Sequence, residues 1–152
     1  MGVDGEDWET DTLRSMKSTR FLLAVASMVS LASAQDGGVD FEKQILPILN
    51  NKCVKCHEKE KMVDGKLKKP KHGLRLDSAE GIMKGGKEYP NETVVAGKPD
   101  ASWLLKTTML AEDEDLFMPP KDKADPVTDA EKELIKKWIA EGAKFGTWKG
   151  VE

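Results

Sequence analysis

Cysteine is nearly absent from this chain: Cys53 and Cys56 are its only two in 152 residues. Histidine is as scarce, with only His57 and His72. A disulfide framework is therefore excluded. A bridge between Cys53 and Cys56 would close so short a loop that it would constrain the unfolded chain little. A structural zinc site takes four Cys, His or carboxylate ligands, and the nitrogen donors run out at His72. No sign of charge prevails, with 24 basic against 27 acidic residues and a net charge of −3. That argues against a general nucleic-acid binder, which needs a basic surface. No repeat appears, and the length fits one compact domain.

Long apolar runs are missing too. Phe21–Leu31 is the longest apolar stretch, and its eleven residues are too few to span a bilayer comfortably. It follows Lys17 and Arg20 and precedes Ala32-Ser33-Ala34, so residues 16–34 read as a secretory signal peptide with an A-x-A cleavage site. The alternative is an uncleaved anchor, the only route to a membrane. No Cys follows Ala34, so bacterial lipidation is not indicated. Residues 1–15 carry five acidic residues and one Arg, which does not belong ahead of such a segment. Met16 is the expected initiator, with 1–15 an upstream mis-called start. The expected mature domain is 35–152, with 21 basic and 22 acidic residues, placed in the periplasm or otherwise exported.

Helix patterns fill this domain. "VDFEKQILPILNNK" has Phe41, Ile45, Ile48 and Leu49 at helical spacing, Asp40 as cap and Pro47 to kink or tighten it. Residues 58–73 read as a polar, Lys-rich loop. "DSAEGIMKGG" opens with a capping box of Asp77 and Glu80 and stops at Gly85-Gly86. "PDASWLLKTTML" has Asp100 as cap and an apolar stripe of Trp103, Leu104 and Leu105. A proline-rich loop follows. "TDAEKELIKKWIAEG" pairs Thr128 with Glu131 in a capping box. It shows an apolar face of Leu134, Ile135, Trp138 and Ile139, and Gly142 stops it.

The two cysteines sit in "CVKCH". Cys-x-x-Cys-His is the attachment sequence of c-type haem. Two thiols three apart at a helix start can both reach the vinyl edges of one porphyrin, and the next residue then sets an imidazole under the iron. The thioredoxin reading of C-x-x-C expects a preceding strand in a βαβ setting; here an amphipathic helix precedes. Haem iron in cytochromes c takes Met as its usual second axial ligand. Met62 lies too near His57 to reach the far face, and Met83 and Met109 fall in helices as core fillers. Met118 lies 61 residues beyond His57, and Pro119-Pro120 stiffen the loop that presents it. His72 is the alternative sixth ligand.

Taken in order, "FEKQILPIL", "CVKCH", "GLRLDSAEGIMKGG", "VVAGKPDASWLL", "MPP" and "TDAEKELIKKWIAEGA" resemble the planctomycete-type cytochrome c domain, a variant of class I cytochrome c. The resemblance covers about residues 40–145. It implies an all-α fold of about four to five short helices around one covalently bound haem c, with the first and last helices crossing. It implies Cys53 and Cys56 as thioether attachments, His57 as proximal ligand and Met118 as distal ligand. The family usually has Gly after the haem histidine; this chain has Glu58 and a longer Lys-rich loop.

Phe41 and Ile45 are expected to pack on Trp138 and Ile139. Leu74, Leu76, Leu104 and Leu105 are expected to wall the haem, with Arg75 or Trp103 reaching a propionate. The reading is an exported single-haem electron carrier, not an enzyme. It meets redox partner proteins through the Lys-rich 52–71 face. The rivals are a haem protein with an open sixth site, for gas binding or peroxidase-like work, and a haem-free thiol–disulfide oxidoreductase.

Overall fold

The chain was analysed as a computed structural model, which describes residues 37–151. The expected leader at 16–34 and the upstream residues 1–15 lie outside the described residues. A π-turn, Phe41–Ile45, opens the domain and runs directly into helix α1, Leu46–Lys52. Asp40 caps it, accepting the Lys43 N–H at 3.1 Å. Pro47 has no N–H to give the carbonyl four residues back. The turn before it widens instead of tightening, and the Leu46 N–H donates five residues back to Phe41.

The loop expected over 58–73 contains a hairpin, so the all-α expectation needs correction: among the described residues there are four α-helices and one small two-stranded sheet. Strands β1, Lys61–Val63, and β2, Lys66–Lys68, pair antiparallel. Asp64 and Gly65 join them with φ of 51° and 73°, as a type I′ turn requires of both central residues. The strands carry too many lysines to show apolar alternation, and every strand residue is exposed.

Helix α2, Ala79–Lys84, is capped by Ser78, which accepts the Gly81 N–H at 3.1 Å. The expected Asp77–Glu80 box does not form. Asp77 turns inward, accepting the Lys59 N–H at 2.7 Å and Arg75 Nε at 3.0 Å. Gly85 ends the helix at φ 75°, and a β-carbon there would meet the Tyr89 carbonyl at 2.5 Å. Helix α3, Trp103–Met109, is not capped by Asp100, which sits in the preceding 3₁₀ turn, Pro99–Ala101. The carbonyls of Glu92 and Thr93 take the N–H groups of Trp103 and Leu104, each at 2.9 Å, so backbone satisfies the start of the helix.

Helix α4, Asp129–Ala140, has the expected Thr128–Glu131 capping box and buries Ile135, Trp138 and Ile139. As expected, Phe41 meets Trp138, with ring centroids 5.2 Å apart. The core then extends past the expected limit at residue 145. Phe145 and Trp148 close on Phe41 at 4.8 and 4.7 Å. The Val151 N–H donates to the Asp77 carbonyl at 2.8 Å, which ties this tail to the start of α2. Among the described residues no helix is long and apolar enough to cross a membrane.

Candidate functional site

Cys53 closes α1, its N–H donating to the Leu49 carbonyl at 2.9 Å. The Cys53 carbonyl then accepts from the N–H groups of Cys56, at 3.1 Å, and His57, at 3.2 Å. One tight turn thus gathers Cys53, Cys56 and His57 on the wall of a single cavity. The motif lies at the C-terminal end of a helix, not at the helix start expected of it. Residues 71–76 brace the turn from behind. The Lys71 N–H donates to the Cys56 carbonyl at 3.0 Å, and the Leu76 N–H to the His57 carbonyl at 2.7 Å.

The cavity has a volume of about 590 Å³, within the range of pockets that bury a sizeable organic ligand. Leu74 and Leu76, Leu104, Thr107 and Thr108 of α3, and Met118 with Pro119 and Pro120 supply much of its wall. The two threonines donate their hydroxyl hydrogens inside their own helix, Thr107 to the Trp103 carbonyl at 3.0 Å and Thr108 to the Leu105 carbonyl at 2.7 Å. Met118 is held by its backbone N–H, which donates to the Thr107 carbonyl at 3.0 Å. Of the described methionines it alone lines this cavity. Met62, Met83 and Met109 are exposed, so the last two are not the core fillers expected.

Leu105 corrects a second expectation. It is buried at 2% exposure, but it lines a separate small hollow with Lys132 and Lys136 of α4. One residue along a helix is about 100° of rotation, which carries it away from the side Leu104 occupies. Arg75 does not line the cavity either; its guanidinium binds Asp77 and the Val151 carbonyl. Trp103 does line it, stacked on Tyr89 at 3.9 Å. His72 reaches the rim, exposed and with Nδ1 3.0 Å from Glu88 Oε1. Tyr89, Thr107 and Thr108 were not expected in the site. Helical spacing pointed to the threonines, three and four residues past Leu104.

Two features describe the electrostatics. Burial pushes the Cys53 thiol up to about 12, helped by Cys56 and Glu131. The His57 imidazole is held below its ordinary value by burial, against the opposing pull of the Leu74 and Lys71 backbone. Burial thus favours the neutral imidazole, the form that binds a metal. Its Nδ1 is buried without a hydrogen-bond partner.

These residues fit a haem. The cavity is largely apolar, two free thiols border it, and a neutral imidazole and a thioether share its wall. No cluster of three or more His, Cys, Asp or Glu able to hold a metal ion occurs among the described residues, so a zinc site has no donor set there. Residues 53–122 match the family described as Planctomycete cytochrome C. No curated protein and no solved structure matches the chain. The matched stretch carries the attachment motif, α2, α3 and Met118, and over it the chain is similar to the planctomycete cytochrome c family.

Proposed function

We propose that the chain is an exported monohaem cytochrome c that passes single electrons between redox proteins. Cys53 and Cys56 attach the haem, His57 is the proximal ligand and Met118 the distal one. The observation that carries this reading is that one apolar cavity collects Cys53, Cys56, His57 and Met118, although Met118 is 61 residues from His57 in sequence. When bound, the haem supplies a one-electron ferric–ferrous couple. The chain's own work is to hold it. Cys53 and Cys56 would hold it through thioether bonds. The braced 53–57 turn fixes the imidazole, and the Thr107 carbonyl with Pro119 and Pro120 fixes the loop that offers the Met118 sulfur.

The Met118 thioether, as a ligand, would raise the potential and leave no open place for a substrate, which favours a carrier over an enzyme. Export follows from the signal-like segment at 16–34 and from the attachment chemistry. The partners are other redox proteins, met through the Lys-rich 52–71 face. The test is the visible spectrum of protein matured in a host that attaches haem c. A six-coordinate low-spin haem that survives denaturation is the expected result. A high-spin spectrum removes Met118 as ligand, and no haem removes the reading. His72 lines the same cavity, so His72→Ala is the control: it is expected to leave the spectrum unchanged.

A further inference from the structure

The β1–β2 hairpin turns its apolar pair outward. In its register Lys61 faces Lys68, Met62 faces Leu67 and Val63 faces Lys66. Successive side chains of a strand point to opposite faces, so Met62 and Leu67 share one face and Lys61 and Lys68 share the other. The lysine face folds back on the domain. Lys61 and Lys68 reach Glu58 at 2.8 and 3.2 Å, and Lys68 Nζ donates to the Lys55 carbonyl at 2.6 Å. Met62 and Leu67 remain 64% and 51% exposed. Beyond β2, Lys69 and Lys71 are exposed as well. A lone hairpin is marginal in water, so an outward apolar pair on one calls for something to cover it.

The chain carries the complement itself. Glu112, Asp113, Glu114 and Asp115 are all exposed, and none is in an ion pair among the described residues. Leu116 follows, 43% exposed. Asp115 and Leu116 line the cavity, as Lys55 and Cys56 do from the hairpin's side. The acidic-with-apolar segment therefore borders the cavity directly, and the hairpin reaches its rim through the Lys68–Lys55 bond. Residues 35–152 hold 21 basic and 22 acidic residues, so two copies meet without long-range repulsion.

We propose that the hairpin of one copy docks on the 112–116 segment of a second copy of this chain. Lysines meet carboxylates, and Met62 and Leu67 meet Leu116. The contact is small and transient, of the kind redox encounters use, and it sets the Lys55 flank of one copy beside the cavity rim of the other. Where the haem reading of the cavity holds, an electron then crosses: a ferrous copy becomes ferric as its ferric neighbour becomes ferrous, with no net change. Only that last step rests on the haem reading.

The test uses the matured protein at low and high salt. Self-association is read by sedimentation velocity and amide chemical shifts, and electron self-exchange by magnetic resonance of a half-reduced sample. Wild type is expected to associate and exchange faster as salt falls, because opposite poles attract and the Debye length grows beyond about 10 Å below 0.1 M. K69E/K71E alone and E112K/D113K alone each carry two like poles and are expected to lose association and slow exchange about tenfold or more at low salt. A one-to-one mixture of the two restores complementarity and is expected to recover both. M62S/L67S weakens association at every salt. Mixing without recovery, or association blind to salt and to all three variants, overturns the proposal. Binding of wild type to phosphatidylglycerol vesicles that M62S/L67S abolishes, with self-association unmoved, also overturns it and assigns the hairpin to a lipid surface. A wild type without haem overturns the proposed function instead, and leaves the association readout to judge the contact.

Discussion

Replacing Asp77 with alanine tests how the attachment turn is held in place. Asp77 is 8% exposed and accepts from the Lys59 backbone at 2.7 Å and from Arg75 Nε at 3.0 Å. It thereby pins the chain just after His57 to the segment that leads into α2. Its neighbour Leu76 donates to the His57 carbonyl, so Leu76 and Asp77 together hold the Cys53–His57 turn where it ends. Hydrogen bonds to a charged group contribute about 1.5–3 kcal/mol each. The Arg75 side chain is 27% exposed and keeps the Val151 carbonyl, so water and that bond offset part of the loss. Asp77→Ala should therefore cost roughly 2–4 kcal/mol. Asp77→Asn keeps an acceptor for Lys59 and loses only the charge opposite Arg75, so it should cost roughly 1–2 kcal/mol. The assay is guanidinium unfolding of the haem-loaded protein followed by circular dichroism, with the midpoint shifting and the slope unchanged. A cost for Asp77→Ala within about 0.5 kcal/mol, the ordinary surface range, would refute this account of the turn.

Other predictions concern the haem and the hairpin. Cys53→Ala or Cys56→Ala should weaken retention of haem through acid–organic extraction, and the double variant should abolish covalent attachment. Met118→Ala should lower the reduction potential and open the sixth position to carbon monoxide, read by titration and by the absorption spectrum. Glu58→Gln should loosen the hairpin, raising amide hydrogen exchange at 61–68 about two- to fivefold, as exposed ion pairs of up to about 1 kcal/mol allow. The same loosening should appear with acid: Lys61 holds the Glu58 carboxyl below its ordinary value, aided by Lys68. That stabilisation is present above the unfolded carboxyl range and is lost as pH falls through the lowered folded value.

The order of helices and the candidate ligands were legible because their signals are local. The Thr128–Glu131 box and the Ile135–Trp138–Ile139 stripe define α4 within one stretch of chain, and the structure keeps both. Asp77 was misread because Asp77 and Ser78 are both good caps; only Arg75 and the Lys59 backbone, far from any helical signal, draw Asp77 away. The hairpin was hidden by its lysines, although Asp64-Gly65 is a strong turn pair. Glu58, an oddity beside the family's usual glycine, makes sense with the hairpin in view: it receives Lys61 and Lys68. Leu104 and Leu105 could not be separated by composition, since both are apolar and buried and only the facing of α3 assigns one to the cavity.

The direction of α1 bears most on what the two cysteines do. A thiol at a helix N-terminus sits at the positive end of the dipole, and its pKa falls toward the reactive range. Cys53 sits at the opposite end, as the residue that closes α1. Burial, Cys56 and Glu131 all push its thiol the same way, to about 12. Thiol–disulfide exchange proceeds through thiolate. At neutral pH the thiolate fraction of a group titrating near 12 is on the order of 10⁻⁵. A redox dithiol placed here would be slow at its own chemistry. Attachment to a vinyl carbon asks for no standing thiolate, because the sulfur becomes a thioether once and titrates no more. The site that makes Cys53 a poor redox thiol, half-buried near His57 on an apolar wall, is the surrounding a covalently held porphyrin needs.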